Sequence, residues 1–327
     1  MKKLYELLGT KLNKGDVGIE IEVEGTNLIK SADPRWVTTT DGSLRGEDSK
    51  EYVFKSPLPV AGVHSALASL REELDDSDAE IDFSFRTSVH VHVNCQDLTF
   101  NQYLAFIYTY LLIEEPLMTY CGRERKGNRF CLRLQDAEGV LMYVEHMFKK
   151  GYRGLREVDT ERVRYAAINI AATNKFGSLE FRGMRGNLDV DFIDVWAKTL
   201  VAIKEFARKA GTPTAVYEYY SKSFPTEFFK DVVGALSQHY EYPRMGKDIE
   251  SSFSLSLDLP FSFINNEVEE KKEETAKPLV GDLVVNVNNQ WAVADVHPDA
   301  IIPRPRRAAQ FAHVNLDQFV NQMNDQN

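Results

Sequence analysis

Gly18-Ile19-Glu20-Ile21-Glu22-Val23-Glu24 is the stretch on which the fold turns. Its strict alternation predicts a strand with Ile19, Ile21 and Val23 on one face and Glu20, Glu22 and Glu24 on the other. A solvated sheet face gives the same pattern, so the question is whether later strands also send polar side chains to one side. They do. In residues 86–95, Val89, Val91 and Val93 alternate with His90, His92 and Asn94. Glu51 opens a strand over 51–56 that Pro57 stops. Further on, Glu180 and Arg182 alternate with Leu179 and Phe181. If these strands share a sheet, one face packs under helices and the other carries carboxylates, imidazoles and a guanidinium.

Working outward, helical spacing appears over 60–74 (Val63, Leu67, Leu70, Leu74), 101–120, 136–150 and 190–210, the last ending at Gly211. Further helices are predicted within 1–14 and over 226–238. The charged segment 153–161 reads as exposed. Residues 165–172 and 178–184 read as two strands of a hairpin around Asn174-Lys175-Phe176-Gly177. Past residue 260 the character changes. The run Glu267-Val268-Glu269-Glu270-Lys271-Lys272-Glu273-Glu274 reads as a linker, and two short strands follow over 279–287 and 290–296. The expectation is an α+β body over 1–265, a charged linker over 266–277 and a small β-rich extension over 278–327.

The chain has 327 residues and a hydrophobic fraction of 43%, enough for a sizeable core. Its net charge of −10 argues against a general nucleic-acid or anionic-membrane binder. Met1-Lys2-Lys3-Leu4-Tyr5 lacks the apolar run of a secretion signal. The most apolar segment, 103–113, is about half the length that crosses a bilayer and reads as a buried helix. Cys95, Cys121 and Cys131 have no CxxC spacing, as expected of reduced thiols. The chain therefore reads as a cytoplasmic protein without membrane contact; an oligomer is compatible with all of this.

A face crowded with carboxylates repels itself, and divalent cations relieve that repulsion. Magnesium suits carboxylate oxygen and leaves positions for phosphate; the imidazoles also suggest manganese or zinc, but the excess of carboxylates and the lack of nearby cysteine ligands point to harder ions. His64, His146, His239, His297 and His313 read as ordinary histidines. Two basic clusters, one of Arg123, Arg125, Lys126 and Arg129 and one of Arg162 and Arg164, read as solvated faces that an anionic substrate would also need. No GxxxxGK[ST], GxGxxG or GxSxG motif offers a glycine cradle or a nucleophile elbow.

Taken in order, Gly18-Ile19-Glu20-Ile21-Glu22, Asp41-Gly42-Ser43-Leu44, Glu51 ahead of Ser56-Pro57-Leu58, His90-Val91-His92-Val93 and Leu179-Glu180-Phe181-Arg182 resemble the amidoligase branch of the carboxylate–amine ligases. These are relatives of glutamate–cysteine ligase and glutamine synthetase. The resemblance covers residues 15–210. It implies a curved, mainly antiparallel sheet with helices on one side and a concave face that binds ATP and two or three magnesium ions. It further implies phosphoryl transfer to a substrate carboxylate, followed by attack of an amine on the acyl phosphate to give an amide. By position, Glu20, Glu22, Glu51, His90 and Glu180 match metal ligands, and Arg182 matches the arginine that steadies the moving phosphoryl group. Asp41 matches an acid that binds metal or deprotonates the amine. His92, Arg129, Arg162, Arg164 and Arg185 are implied to bind ATP or substrate. Ser88 stands where relatives often carry glycine, and Glu24 extends the first motif as a carboxylate in water. A metal-dependent small-molecule kinase and a non-catalytic binding protein on the same sheet are the alternatives.

Overall fold

The computed structural model describes residues 1–264. The linker and extension expected beyond 265 lie outside the described residues. Seven strands form one antiparallel open sheet: β1 (Val17–Thr26), β2 (Trp36–Thr39), β3 (Asp48–Phe54), β4 (Glu80–Asp82), β5 (Ser88–Asn94), β6 (Ile168–Asn169) and β7 (Ser178–Arg185). The order is β2-β3-β1-β5-β7-β6, with β4 paired to the last residues of β1. Helices are α1 (Leu4–Leu8), α2 (Val60–Asp75), α3 (Phe100–Cys121), α4 (Glu138–Lys150), α5 (Tyr152–Arg156), α6 (Thr160–Val163), α7 (Ala172–Phe176), α8 (Val190–Ala210), α9 (Pro213–Tyr220), α10 (Pro225–Val233) and α11 (Met245–Leu255). The architecture is α+β.

Alternation in β1 has the predicted effect on its apolar side: Val17, Ile19, Ile21 and Val23 are fully buried. Tyr52 and Phe54 of β3, the valines of β5, and Leu179 and Phe181 of β7 continue that layer. Helix α3 packs beneath it, with the Phe106 and Tyr110 rings 5.7 and 4.9 Å from that of Phe181. Each large apolar side chain so buried stabilises the fold by about 1.5–3 kcal/mol. The ends of α3 and α8 follow from local chemistry. Thr99 and Gln102 form a reciprocal capping box, and Asp189 accepts the Phe192 amide at 2.9 Å. Among the described residues no helix is long and apolar enough to cross a membrane.

Helix α3 does not stop at its acids. Glu114 and Glu115 are buried and catch the segment that follows: Arg133 Nη1 donates to both oxygens of Glu115 at 2.6 and 2.7 Å, and the Leu134 amide donates to Glu114 at 2.7 Å.

Several expected elements differ. Only Ile168–Asn169 is strand within 165–172, and 172–176 is helical rather than a hairpin turn. This stretch does not alternate: Ala166 through Thr173 are buried on all sides. Thr173 then bonds Tyr103 at 3.0 Å, and Gly177 ends the helical turn at φ 72°. Residues 153–161 are not simply exposed, because Leu155 and Val158 are buried and Gly154 lies against α4 too closely for a side chain. The helix expected over 226–238 breaks at Gly234, φ 60°, and continues as a 3-10 turn. Helices α9 and α11 and edge strand β2 were not anticipated from the sequence.

Burial, and then the neighbouring Glu115, push the Glu114 carboxyl up to about 8, although the Leu134 amide opposes them. Between its ordinary 4.5 and about 8 the folded state therefore holds a proton that the unfolded chain releases. Stability from this site is present at acid pH and is lost as pH rises through that window. Glu114→Gln, which mimics the neutral acid, is expected to flatten the decline in urea midpoint between about pH 5 and pH 8. An unchanged slope would count against the assignment.

Candidate metal centre

Antiparallel register assembles the site. Glu20 of β1 lies opposite His90 of β5, and His92 lies opposite Glu180 of β7. On the other side of β1, Glu22 faces Glu51 of β3. Because paired residues in an antiparallel ladder point the same way, these side chains share one face, away from the apolar layer. Asp41 enters from the loop joining β2 to β3.

Two groups of donor atoms result, each within 4.8 Å of one another: Glu20, His90 and Glu180, and Glu22, Asp41 and Glu51. Ser88 connects them. Its hydroxyl donates to Glu22 Oε2 at 2.6 Å and lies 2.7 Å from His90 Nε2. Having one proton, the hydroxyl must accept from Nε2, which fixes the hydrogen there. His90 Nδ1 then points at Glu20 Oε2, 3.2 Å away, and at Glu180 Oε1, 3.6 Å away. A lone pair directed at two carboxylates needs a cation between them, either a proton or a metal.

Charge is balanced unevenly. Glu180 accepts from Asn169 Nδ2 at 2.7 Å and from Arg182 Nη1. Burial alone would raise the Glu180 carboxyl, but Arg182, His92 and His90 hold it below the usual range. Glu20 is likewise lowered, burial being outweighed by His90 and His92. His92 Nε2 approaches Glu20 Oε1 to 3.2 Å without hydrogen-bond geometry, and that nitrogen and Arg182 Nε are buried without hydrogen-bond partners among the described residues. The second group has less relief, from the Ser88 hydroxyl on Glu22 and from His90, which opposes the rise of Glu51. Glu51 makes no hydrogen bond or ion pair among the described residues, and burial, together with Glu20, Glu22 and Asp41, pushes it up to about 7. Oxygen donors gathered around this charge fit a hard divalent ion, and Arg182 Nε, buried without a hydrogen-bond partner among the described residues, fits an anionic ligand beside it.

Arg182 shares the Glu180 face by alternation, and β7 becomes irregular at this point. Val89 pairs with Met184 and Val91 with Phe181, so β7 carries an extra residue between them. The bulge leaves the Arg182 and Gly183 carbonyls to the buried guanidinium of Arg125, which donates to them at 2.9 and 3.1 Å. Arg125, read from sequence as part of a solvated cluster, is instead an internal clamp. Glu24 is a second correction. It is buried, and its Oε1 accepts the Arg45 amide at 2.7 Å, tying the Asp41 loop to β1.

The remaining arginines do not join the two groups. Arg129 is exposed over the Phe130 ring. Arg162 pairs with Asp159 at 3.6 Å and lines a separate cleft with Met142, Glu145 and Asp258. Arg164 pairs with Glu161 at 3.2 Å. Arg185 lies opposite Ser88 in the ladder but turns to Glu124, at 3.5 Å, and the Phe192 ring. Sequence reasoning missed Ser88 as a bridge, although it shares the even-numbered row of His90 and His92. For Asn169 and Arg125 no local pattern exists to find.

A cation bound by Glu51 must displace a proton at pH below about 7, so affinity rises with pH through that value. Mn2+ binding followed by calorimetry is expected to tighten about tenfold between about pH 6 and pH 8, and much less in Glu51→Gln. Glu24→Leu leaves the Arg45 amide without its acceptor and is expected to cost about 1–3 kcal/mol in urea unfolding. Glu24→Gln retains an oxygen and should recover most of this; equal losses would remove the latch.

Compared with known protein families and curated proteins, the chain matches no family model and no curated protein.

Proposed function

We propose that the polar sheet face is the active site of an ATP-dependent carboxylate–amine ligase that forms an amide through an acyl phosphate. The observation that carries this reading is the pair of adjacent cation-ready groups, joined by Ser88 and flanked by Arg182. The ordered motifs of the sequence support it, and the curved sheet with a concave active face belongs to the same reading.

In this reading Glu20, His90 and Glu180 would hold one magnesium ion and Glu22 and Glu51 another, with Asp41 beside the second as the base. Bound magnesium supplies neutralisation of phosphate charge and alignment of the γ-phosphoryl group. Asn169 and Arg182 hold Glu180 in place, and Ser88 holds His90 in the tautomer that directs Nδ1 inward. Arg182, kept charged by Glu180, uses its free Nε to stabilise the phosphoryl group as it passes from ATP to the substrate carboxylate, releasing ADP. The amine then attacks the acyl carbon, phosphate leaves with the bonding electron pair, and a proton of the amine passes to Asp41, directly or through water. Asp41 is suited to that role because its loop is open to solvent on one side while Glu24 fixes the other.

The test supplies the full chain with ATP, magnesium and a panel of carboxylates and amines, glutamate and short peptides included. ADP and phosphate release should require both co-substrates. Glu20→Ala, Glu180→Ala and Arg182→Ala should each lower turnover by about a hundredfold or more. A stable phosphorylated product formed without amine would identify a kinase instead. Turnover indifferent to these substitutions, or none with any pair, would sink the proposal.

A further inference from the structure

Three loops meet beside the Asp41 loop and expose alternating rings and guanidinium groups. Arg86 lies over Phe85 and Phe130, at 5.2 and 5.4 Å from the ring centroids, and Arg129 lies over Phe130 at 4.9 Å. Tyr165 meets Phe130 edge-on at 5.9 Å, and Arg164 covers Tyr165 at 4.8 Å. The strip is built rather than incidental: Asn128 Nδ2 donates to the Phe85 carbonyl at 2.8 Å, and the Leu132 amide donates to that of Tyr165 at 2.6 Å. Phe85 is nevertheless 63% exposed and Tyr165 38%.

Its charge is unspent. Arg86 and Arg129 have no carboxylate partner among the described residues, in a protein of net charge −10. Arg164 holds only the exposed Glu161, an exchangeable pair worth about 0–1 kcal/mol. Guanidinium groups stacked on rings keep their N–H edges free for carboxylates, while exposed Phe and Tyr supply the apolar contact typical of binding hot spots. The strip also has a direction, since Arg86 Nη1 donates to the Ser43 carbonyl at 3.1 Å, two residues from Asp41.

We infer that this strip docks an acidic peptide with an aromatic or aliphatic residue, and that such a peptide is the carboxylate substrate. The second half rests on the ligase reading. A short acidic segment fits better than single-stranded nucleic acid, whose dense and continuous charge would meet the acidic remainder of the surface. The side-chain carboxylates take Arg86, Arg129 and Arg164, its apolar residue lies between Phe85 and Tyr165, and the reacting carboxylate reaches past Ser43 to the cation groups.

The test is fluorescence anisotropy on the full chain, in EDTA and without ATP. The probe is a fluorescein-labelled peptide of glutamates around one phenylalanine; its glutamine counterpart and oligothymidylate are the comparisons. The acidic peptide should bind at least about tenfold more tightly than either. Phe85→Ala with Arg129→Ala should weaken it about tenfold, and Arg129→Glu further; both sites are exposed, and a thermal melt checks folding. Absence of peptide binding, equal binding of the glutamine peptide, tighter binding of oligothymidylate, or variants that bind like the parent would each overturn the docking strip. Because the assay contains neither metal nor ATP, peptide binding without turnover would leave the strip standing and remove only the ligase reading. Turnover of this peptide with unchanged binding in the variants would do the reverse.

Discussion

Glu22 and Glu51 stand directly across from each other on paired strands, with an oxygen of Asp41 within 4.8 Å of theirs. Like charges opposed in an antiparallel pair are destabilising, so the sheet holds this arrangement only because its other face is strongly specified. A slip of one residue would carry Ile19, Ile21 and Val23 into the polar face and bury the three glutamates beneath the helices. Register is thus fixed from below, by the apolar layer, and the repulsion above is its consequence. In the proposed ligase, it is the repulsion that bound divalent ions would relieve.

The two ends of that face solve the charge problem differently. Toward β7, Glu20 and Glu180 are answered by two imidazoles and the Arg182 guanidinium, so both carboxyls stay ionised. Toward β3, His90 only partly offsets burial and the neighbouring carboxylates, and Glu51 rises to about 7. Ser88 spans the two regimes with a single hydroxyl.

Parts remote from the carboxylates keep this geometry. Arg182 lies on the Glu180 face of β7 at a bulge, and Arg125 stabilises that bulge by taking up its two loose carbonyls. Arg125 in turn hangs on the turn after α3, whose buried Glu114 and Glu115 anchor Arg133 and Leu134 beside Leu132, which bridges to Ala166 ahead of β6. Glu24 does for the Asp41 loop what Arg125 does for β7. Outside this frame, the Phe85–Arg86–Phe130–Arg129 strip concentrates positive charge on a protein that is otherwise acidic, and it does so at the mouth of the same loop.

Period-two alternation was enough to identify β1, β5 and the core of β7, and to put Glu20, Glu22, Glu51, His90, His92, Glu180 and Arg182 on one prospective face. Helices α2, α3, α4 and α8 were equally legible, because their apolar spacing is a local property. Tertiary structure alone decided the rest. Which glutamate meets which histidine depends on register between strands that lie far apart in the chain. Glu24 and Arg125 looked solvated because sequence records a side chain's charge but not what the backbone elsewhere leaves unsatisfied; each is buried to serve an amide or a carbonyl that only folding brings to it. The segment 165–177 was misread for a related reason, since burial on every side erases the alternation that marks a strand. The sequence by itself determined the layer of the sheet and the chemistry it carries; three-dimensional pairing decided how that chemistry is divided into two groups and what holds them in place.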